Sequence, residues 1–352
     1  MKRQISLPLL ALLLAGPAAA AEIPGLNLAN ARIETASAAS GLRSALRQAG
    51  SGAREPYWVG WSVPMIEGER YACCFGKDYG ASTCLLEGKN QGWGNSEPKG
   101  STRKPDQRLT VLLRMEGGQA DEIRAFSESC PLDAGKRRFV WLGAAKPEES
   151  VALIADLADD RDKGHEKTSN AYAALALHRN SGADAALEKL ASAPRSAKER
   201  DEPIFWLGQR RGPRGVHFLS GLATSDPDDD IREKALFSLS QSRQPEAVET
   251  VLEAARSDKS PKVRGHALFC LSQTDSPKAA PAILEAIKSD PEPSTRKQGI
   301  FALSQLEDEG IPLLIQLGRE TEDREIRREA IFWLTQSKDP AAVAFLDKFL
   351  DE

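Results

Sequence analysis

A seven-residue phrase returns at a nearly fixed interval through the second half of the chain. Ala235-Leu236-Phe237-Ser238-Leu239-Ser240-Gln241 is followed 32 residues later by Ala267-Leu268-Phe269-Cys270-Leu271-Ser272-Gln273, and again by Gly299-Ile300-Phe301-Ala302-Leu303-Ser304-Gln305. The next copy, Ala330-Ile331-Phe332-Trp333-Leu334-Thr335-Gln336, comes after 31 residues. Upstream by 32 lies Pro203-Ile204-Phe205-Trp206-Leu207-Gly208-Gln209, and by a further 32 Ala171-Tyr172-Ala173-Ala174-Leu175, which lacks both Phe and Gln. A unit of this size cannot bury its own apolar stripe. Stacked copies share a continuous core, so the period predicts a solenoid.

Each unit reads as two helices. The first follows a proline at or near its first turn, as at Pro245, Pro277 and Pro340, where the missing N–H would have no intrahelical partner. The second starts near Ser260-Pro261 and carries the repeated phrase. Between them stand Asp226, Asp258 and Asp290, each six residues before Arg232, Arg264 and Arg296, while Arg200 and Arg327 keep the Arg register without that Asp. This pattern, as in Asp258 through Val263-Arg264 to Ala267 and Leu271, resembles the HEAT-repeat family in its short, PBS-lyase-like form, over roughly Glu148 to Glu352. The resemblance implies a superhelix of antiparallel helix pairs with the second helices on the concave side, and Asp and Arg joining neighbouring units. Physically, such a ladder is structural: a buried Arg needs a fixed partner.

At 100° per residue, Ile231, Ala235, Ser238, Leu239 and Ser242 share one face of the second helix, which must be the core. Phe237 lies almost opposite, with Glu233, Ser240 and Gln241. The same holds for Phe205, Phe269, Phe301 and Phe332 and for Gln209, Gln273, Gln305 and Gln336. Two accounts compete for this recurring pair. In one, the rings pack on each other as an aromatic ladder and the amides bond to neighbouring backbone or to each other. In the other, the groove is a docking strip for a protein or peptide. Trp206 and Trp333, in the register of Ser238, Cys270 and Ala302, are expected to fill space.

The first 52 residues differ in kind. Lys2 and Arg3 precede the apolar run Leu7–Leu14 and Ala18-Ala19-Ala20-Ala21, the layout of a removed signal peptide over residues 1–21, hence a periplasmic or secreted protein. No later apolar stretch reaches membrane-helix length. With 47 basic against 51 acidic residues, the composition disfavours a nucleic-acid partner, whose phosphates need a concentrated basic surface. Residues 22–52 read as an N-terminal helix, over Gly41–Ala49, with linker.

Residues 53–144 read as a small β-rich domain. Tyr57–Pro64, Tyr71–Phe75, Leu109–Met115 and Glu122–Ser129 have strand character, the last two joined by Gly117-Gly118. Lys89–Gln107 is polar and Gly-rich, a surface loop, and Phe139–Leu142 reads as the junction to the solenoid at 145–352. Cys73, Cys74, Cys84 and Cys130 form an even set, expected as two disulfides in an exported chain. Neighbours on a strand face opposite sides, so Cys73 and Cys74 each pair elsewhere, with Cys84 and Cys130 as partners. Zinc or redox chemistry would want a C-x-x-C pair, which is missing. Cys270 stands alone on a core-facing position and reads as inert.

No catalytic residue, metal or cofactor is expected. The HEAT-like deoxyhypusine hydroxylases carry several His-Glu dipeptides on their repeats, whereas here only His165-Glu166 occurs, in what reads as a charged linker. The acid runs Asp159-Asp160 and Asp228-Asp229-Asp230 sit where negative charge suits helix starts. The expectation is therefore a mainly α protein, an α-solenoid of about six HEAT-like helix pairs preceded by a small β-rich domain. It would act as a non-enzymatic scaffold for a protein or peptide. The alternative is a ligand-binding protein or enzyme with its site around Trp58, Trp61 and the cysteines.

Overall fold

The structure is a computed structural model describing residues 26–67, 73–74, 83–88, 93–94, 107–160, 165–242, 244–307 and 309–351. The expected signal peptide lies outside them, as do Lys89–Gln107 apart from Trp93, Gly94 and Gln107.

The N-terminal region is built on a five-stranded sheet. Its strands are β2 (Arg32–Thr35), β3 (Tyr57–Pro64), β7 (Arg108–Glu116), β8 (Gln119–Ser127) and β10 (Arg138–Ala144), in the order β2-β10-β3-β7-β8. A second sheet places β9 (Leu132–Asp133) between β1 (Leu28–Ala29) and β5 (Cys84–Leu85), and β4 (Cys73–Cys74) pairs with β6 (Trp93–Gly94). Two expectations are corrected here. Residues 28–29 and 32–35 are not linker or helix but strands, with Ile33 opposite Phe139 in parallel. Phe139–Leu142 is not a junction but the interior of β10, hydrogen-bonded on both sides. The expected helix does form, as α1 (Leu42–Ala49), and docks through buried Leu42, Ala45, Leu46 and Ala49.

Strand alternation decides what this sheet does. Val59, Trp61 and Val63 of β3, Leu109, Val111 and Leu113 of β7, and Val140 and Leu142 of β10 face a core that runs unbroken into the helices. Trp58, Leu112, Phe139 and Trp141 face the other way, into a smaller core with all four cysteines. That side depends on Gly60, where a Cβ would lie 2.6 Å from a Leu112 methyl and 3.2 Å from both the Phe139 and Trp141 rings. Cys73 is bonded to Cys130 and Cys74 to Cys84, so the vicinal pair diverges to two partners as the strand geometry requires.

Among the described residues thirteen helices follow: α2 (Pro147–Asp159), α3 (His165–Leu177), α4 (Ser181–Ala191), α5 (Ala197–Arg210), α6 (Gly212–Ser225), α7 (Asp229–Ser240), α8 (Glu246–Ser257), α9 (Pro261–Ser272), α10 (Ala279–Ser289), α11 (Pro293–Ser304), α12 (Gly310–Glu320), α13 (Arg324–Gln336) and α14 (Pro340–Asp351). They form six antiparallel pairs, α2 with α3 through α12 with α13, and α14 covers the last. Pro147, Pro261, Pro293 and Pro340 open their helices, whereas Pro245 caps α8 from outside and Pro277 lies two residues before α10. His165-Glu166 opens α3 instead of lying in a linker.

The sheet and the first pair are locked at a polar seam. Trp61 Nε1 donates to Ser150 Oγ at 2.8 Å, which lies 2.8 Å from His178 Nε2, and His178 Nδ1 lies 2.7 Å from the Ala174 carbonyl. Trp61, Ser150 and His178 are all fully buried. Burial pushes the His178 pKa from 6.5 down to about 4. The neutral ring therefore donates from Nδ1 and accepts from the serine at Nε2. Arg179 N–H donates to the Pro64 carbonyl and Ile66 N–H to the Leu177 carbonyl, extending the strand backbone onto the solenoid.

Candidate functional site

Successive second helices (α5, α7, α9, α11, α13) pack on one another more extensively than successive first helices do, so the stack curves with the second helices inside. Their spacing is set by small residues at the contact. Ser238 and Ala302 are buried, and a Cβ on Gly208 would come within 2.9 Å of Ser238.

The Asp–Arg ladder sits at the turns between paired helices and explains the fixed period. Asp226, Asp258 and Asp290 end α6, α8 and α10, and each carboxylate accepts the backbone N–H two residues on, which shapes the turn. Each Arg then joins two units. Arg232 donates through NH1 to the Asp226 carbonyl of its own turn and through Nε and NH2 to the Asp258 carboxylate of the next, at 2.8 and 2.9 Å. Arg264 repeats this with the Asp258 carbonyl and the Asp290 carboxylate. Arg232 is only 1% exposed, yet it stays charged, because its bonds to Asp258 hold its pKa above the usual guanidinium value.

The ladder departs from expectation at its ends. Arg200 is not without an Asp, because its partner is Asp226, 26 residues ahead. The rung from Arg296 to Asp323 is loose at 3.9 Å. There the position six residues before Arg327 is Thr321, and the acid two residues further on stands in for it. Arg327 donates to the Thr321 carbonyl. An extra cross-unit pair, Arg211 with Asp184, was not expected. Arg211 also donates to the carbonyls of Ala176 and His178, closing the turn beneath the seam.

On the opposite face stand the recurring rings. Phe205, Phe237 and Phe332 are 41%, 40% and 48% exposed, unusual for so large an apolar side chain, while Phe269 and Phe301 are half-buried. A partial aromatic ladder exists. Phe269 stacks on Phe301 at 5.9 Å, Phe301 meets Trp333 at 5.0 Å, and Trp333 meets Phe332 at 5.3 Å. Phe205 packs edge-on against Trp206 at 5.4 Å. An open trough of about 840 Å³ crosses α7, α9 and α11, lined among others by Glu233, Lys262, His266, Phe269, Gln298 and Phe301. Burial holds His266 below its usual pKa, and hydrogen bonds to Asp230 and Glu233 hold Lys262 above its own.

Three of the five glutamines bond to the hydroxyl beside them, where the ladder account has neighbouring backbone or one another as partners. Gln273 and Gln305 donate to the hydroxyls of Ser272 and Ser304, and Gln336 to that of Thr335. Those hydroxyls in turn donate to the carbonyls of Phe269, Phe301 and Phe332. Ser240 caps Phe237 in the same way and is buried, not on the open face. The phrase Phe-x-x-Ser/Thr-Gln is thus a helix-ending device that satisfies a terminal carbonyl, with Gln241, Gln273, Gln305 and Gln336 left exposed.

In the β-rich region, the residues named for the alternative site are packed or bonded. Trp58 and Trp61 are fully buried, Trp58 Nε1 donates to Glu87, and the four cysteines are disulfide-bonded. Cys270 is buried, and burial pushes its thiol up to about 12. Among the described residues no cluster of His, Cys, Asp or Glu could hold a metal, and no helix is long and apolar enough to cross a membrane.

Comparison with known proteins agrees with the periodicity. Residues 215–304 and 280–352 match the family model of HEAT repeats. A search of the curated proteins returns no match. Among solved structures, the complex of CpcE and CpcF of phycocyanin lyase from Nostoc sp. PCC7120 is similar at 18% identity, over 44% of this chain and 97% of that one, with a TM-score of 0.35. Human deoxyhypusine hydroxylase is similar at 19% identity, over 58% of this chain and 91% of that one, with a TM-score of 0.25.

Proposed function

We propose that this chain, whose residues 215–352 are HEAT repeats, is an exported scaffold that holds a protein or peptide along the inner face of its second helices. The observation that carries the reading is the exposure of Phe205, Phe237 and Phe332 at one register of a curved stack. Exposed rings in line on a concave face supply apolar area to a partner. The partner-binding set is Phe205, Phe237, Phe269, Phe301 and Phe332, with the amides of Gln209, Gln241, Gln273, Gln305 and Gln336 as polar contacts at the helix ends. No catalytic group is assigned. Two disulfides fit an oxidising compartment, and with the leader-like first 21 residues they support a periplasmic or secreted location.

A photo-crosslinking residue at position 237 or 332 is expected to capture a discrete protein, and one at Glu253, exposed on α8, is not. Phe237→Ala with Phe332→Ala should remove that product while helical circular dichroism is unchanged. Equal labelling from both faces would refute the groove. The N-terminus of the exported protein is expected at Glu22.

A further inference from the structure

One register of the second helices changes sign along the stack. Four residues before each recurring Phe stand Asp201, Glu233, Gly265, Lys297 and Arg328. Four residues is about one helical turn, so each lies beneath its ring on the same face. The acidic pair is already neutralised from the following helix. Lys234 reaches Asp201 at 2.7 Å, and Lys262 reaches Glu233 at 2.8 Å and Asp230 at 2.6 Å. At the centre Gly265 carries no charge and is buried, and the Gln298 side chain lies against it, 3.1 Å from where a Cβ would stand.

The basic pair has no such neutralisation. Neither α9 nor α11 contains an Asp or Glu. Among the described residues, no carboxylate lies within 4.0 Å of Lys297 or Arg328, nor of Arg324 one turn below Arg328. Glu325 and Glu329, on the same helix, pair with none of these cations. Beside these charges runs the continuous ring strip Phe269–Phe301–Trp333–Phe332. The far end of the groove therefore joins apolar surface to cations that no carboxylate holds within 4.0 Å, whereas Asp201 and Glu233 at the near end are each held by a lysine.

Resting on the groove reading, we infer that the α11–α13 end seats an acidic, extended segment of a partner protein, with carboxylates on Lys297 and Arg328 and apolar side chains on the rings of Phe301 and Phe332. Spacing sharpens the class. Packed helices lie about 8–10 Å apart. A polyproline-type chain rises about 3.1 Å per residue and returns to the same face every three residues, a step of about 9 Å. Acidic residues three apart thus match two successive helices. A nucleic acid fits less well, since the cations are few and Asp201, Asp229, Asp230 and Glu233 lie on the second helices of the same stack.

The test is fluorescence anisotropy of the full chain with a labelled peptide of four Glu-Pro-Pro repeats, beside Lys-Pro-Pro and Gln-Pro-Pro versions and an oligothymidine. The Glu peptide should bind tightest and weaken as salt rises. Lys297→Glu with Arg328→Glu should cost it at least about tenfold, because unpaired charges at an interface discriminate by sign. Phe301→Ala with Phe332→Ala should weaken all three peptides. Circular dichroism should be unchanged in both variants. Preference for the Lys peptide, indifference to charge reversal, or equal binding of oligothymidine would overturn the acidic assignment while leaving the groove intact. Peptide binding that ignores both the Phe and the charge substitutions, or no binding together with failed crosslinking at positions 237 and 332, would remove the groove as well.

Discussion

In the solenoid, Arg232 finds its carboxylate 26 residues ahead at Asp258, and Arg264 does the same one unit later at Asp290. In the β-rich region, Cys73 finds Cys130 across 57 residues, and Ile33 pairs with Phe139. Neither of those pairings repeats at a fixed interval along the chain. The repeat array is held by many similar short-range links, so damage at one rung is shared with its neighbours. The sheet is held by a few singular long-range ones, and its outer core of Trp58, Phe126, Phe139 and the cysteines has no second copy to fall back on. A periodic chain is robust by redundancy, and its cap is robust by covalent closure.

The sharpest break in that comparison comes from the ladder. Arg232→Ala leaves the Asp258 carboxylate buried without its partner and should cost about 3–5 kcal/mol in urea unfolding. Arg296→Ala, at the loose 3.9 Å rung whose acid Asp323 is open to solvent, should cost only a small fraction of that. Equal losses at the two positions would show that burial does not set the strength of a rung.

Removing closure comes next. Cys73→Ser with Cys130→Ser should lower stability by about 2–4 kcal/mol. The loss should appear in near-ultraviolet signals of the buried tryptophans, while helical circular dichroism persists. Simultaneous loss of both signals would mean that cap and array unfold as one unit.

The seam gives a pH test of similar or smaller size. His178 is neutral in the folded chain and titrates at about 4, against 6.5 when free. The unfolded chain therefore binds a proton first as pH falls. Stability is intact above about 6.5 and declines down to about 4, by at most about 3 kcal/mol. His178→Gln should flatten that slope while lowering stability at neutral pH. The smallest effect is expected at the helix ends: Gln305→Ala, an exposed amide bonded to Ser304, should change stability by less than about 0.5 kcal/mol.

How much was legible follows the same division. The helix pairs, the core-facing side of Ala235 and Leu239, and the turn of Phe237 away from it follow from a 32-residue period read at 3.6 residues per turn, because each copy corroborates the others. The vicinal cysteines were legible as diverging, since strand neighbours point apart. The parallel strand at Arg32–Thr35 was not. It is short, mostly exposed, and its partner lies about a hundred residues on, so it leaves no local signal. Phe139–Leu142 is buried on both faces, and a continuous apolar run does not reveal whether it is a strand or a connector. The ladder residues were visible, but the carboxylate that each Arg grips lies one unit ahead of the Asp in its own turn. A period shows which residues are equivalent and not which copies touch. The seam of Trp61, Ser150 and His178 comes from three separate elements and has no sequence pattern at all.

The forward reach of each guanidinium has a consequence for how such a chain can change in length. The units that hold Asp226 with Arg232, Asp258 with Arg264 and Asp290 with Arg296 each present a carboxylate backward and a donor forward, so excising one whole period between Asp226 and Asp290 would bring a fitting donor and acceptor together at the splice. Growth or loss by complete units keeps the joints matched, whereas the disulfide-closed cap tolerates no such editing. Reach along a ligand is therefore the trait this architecture leaves easiest to vary.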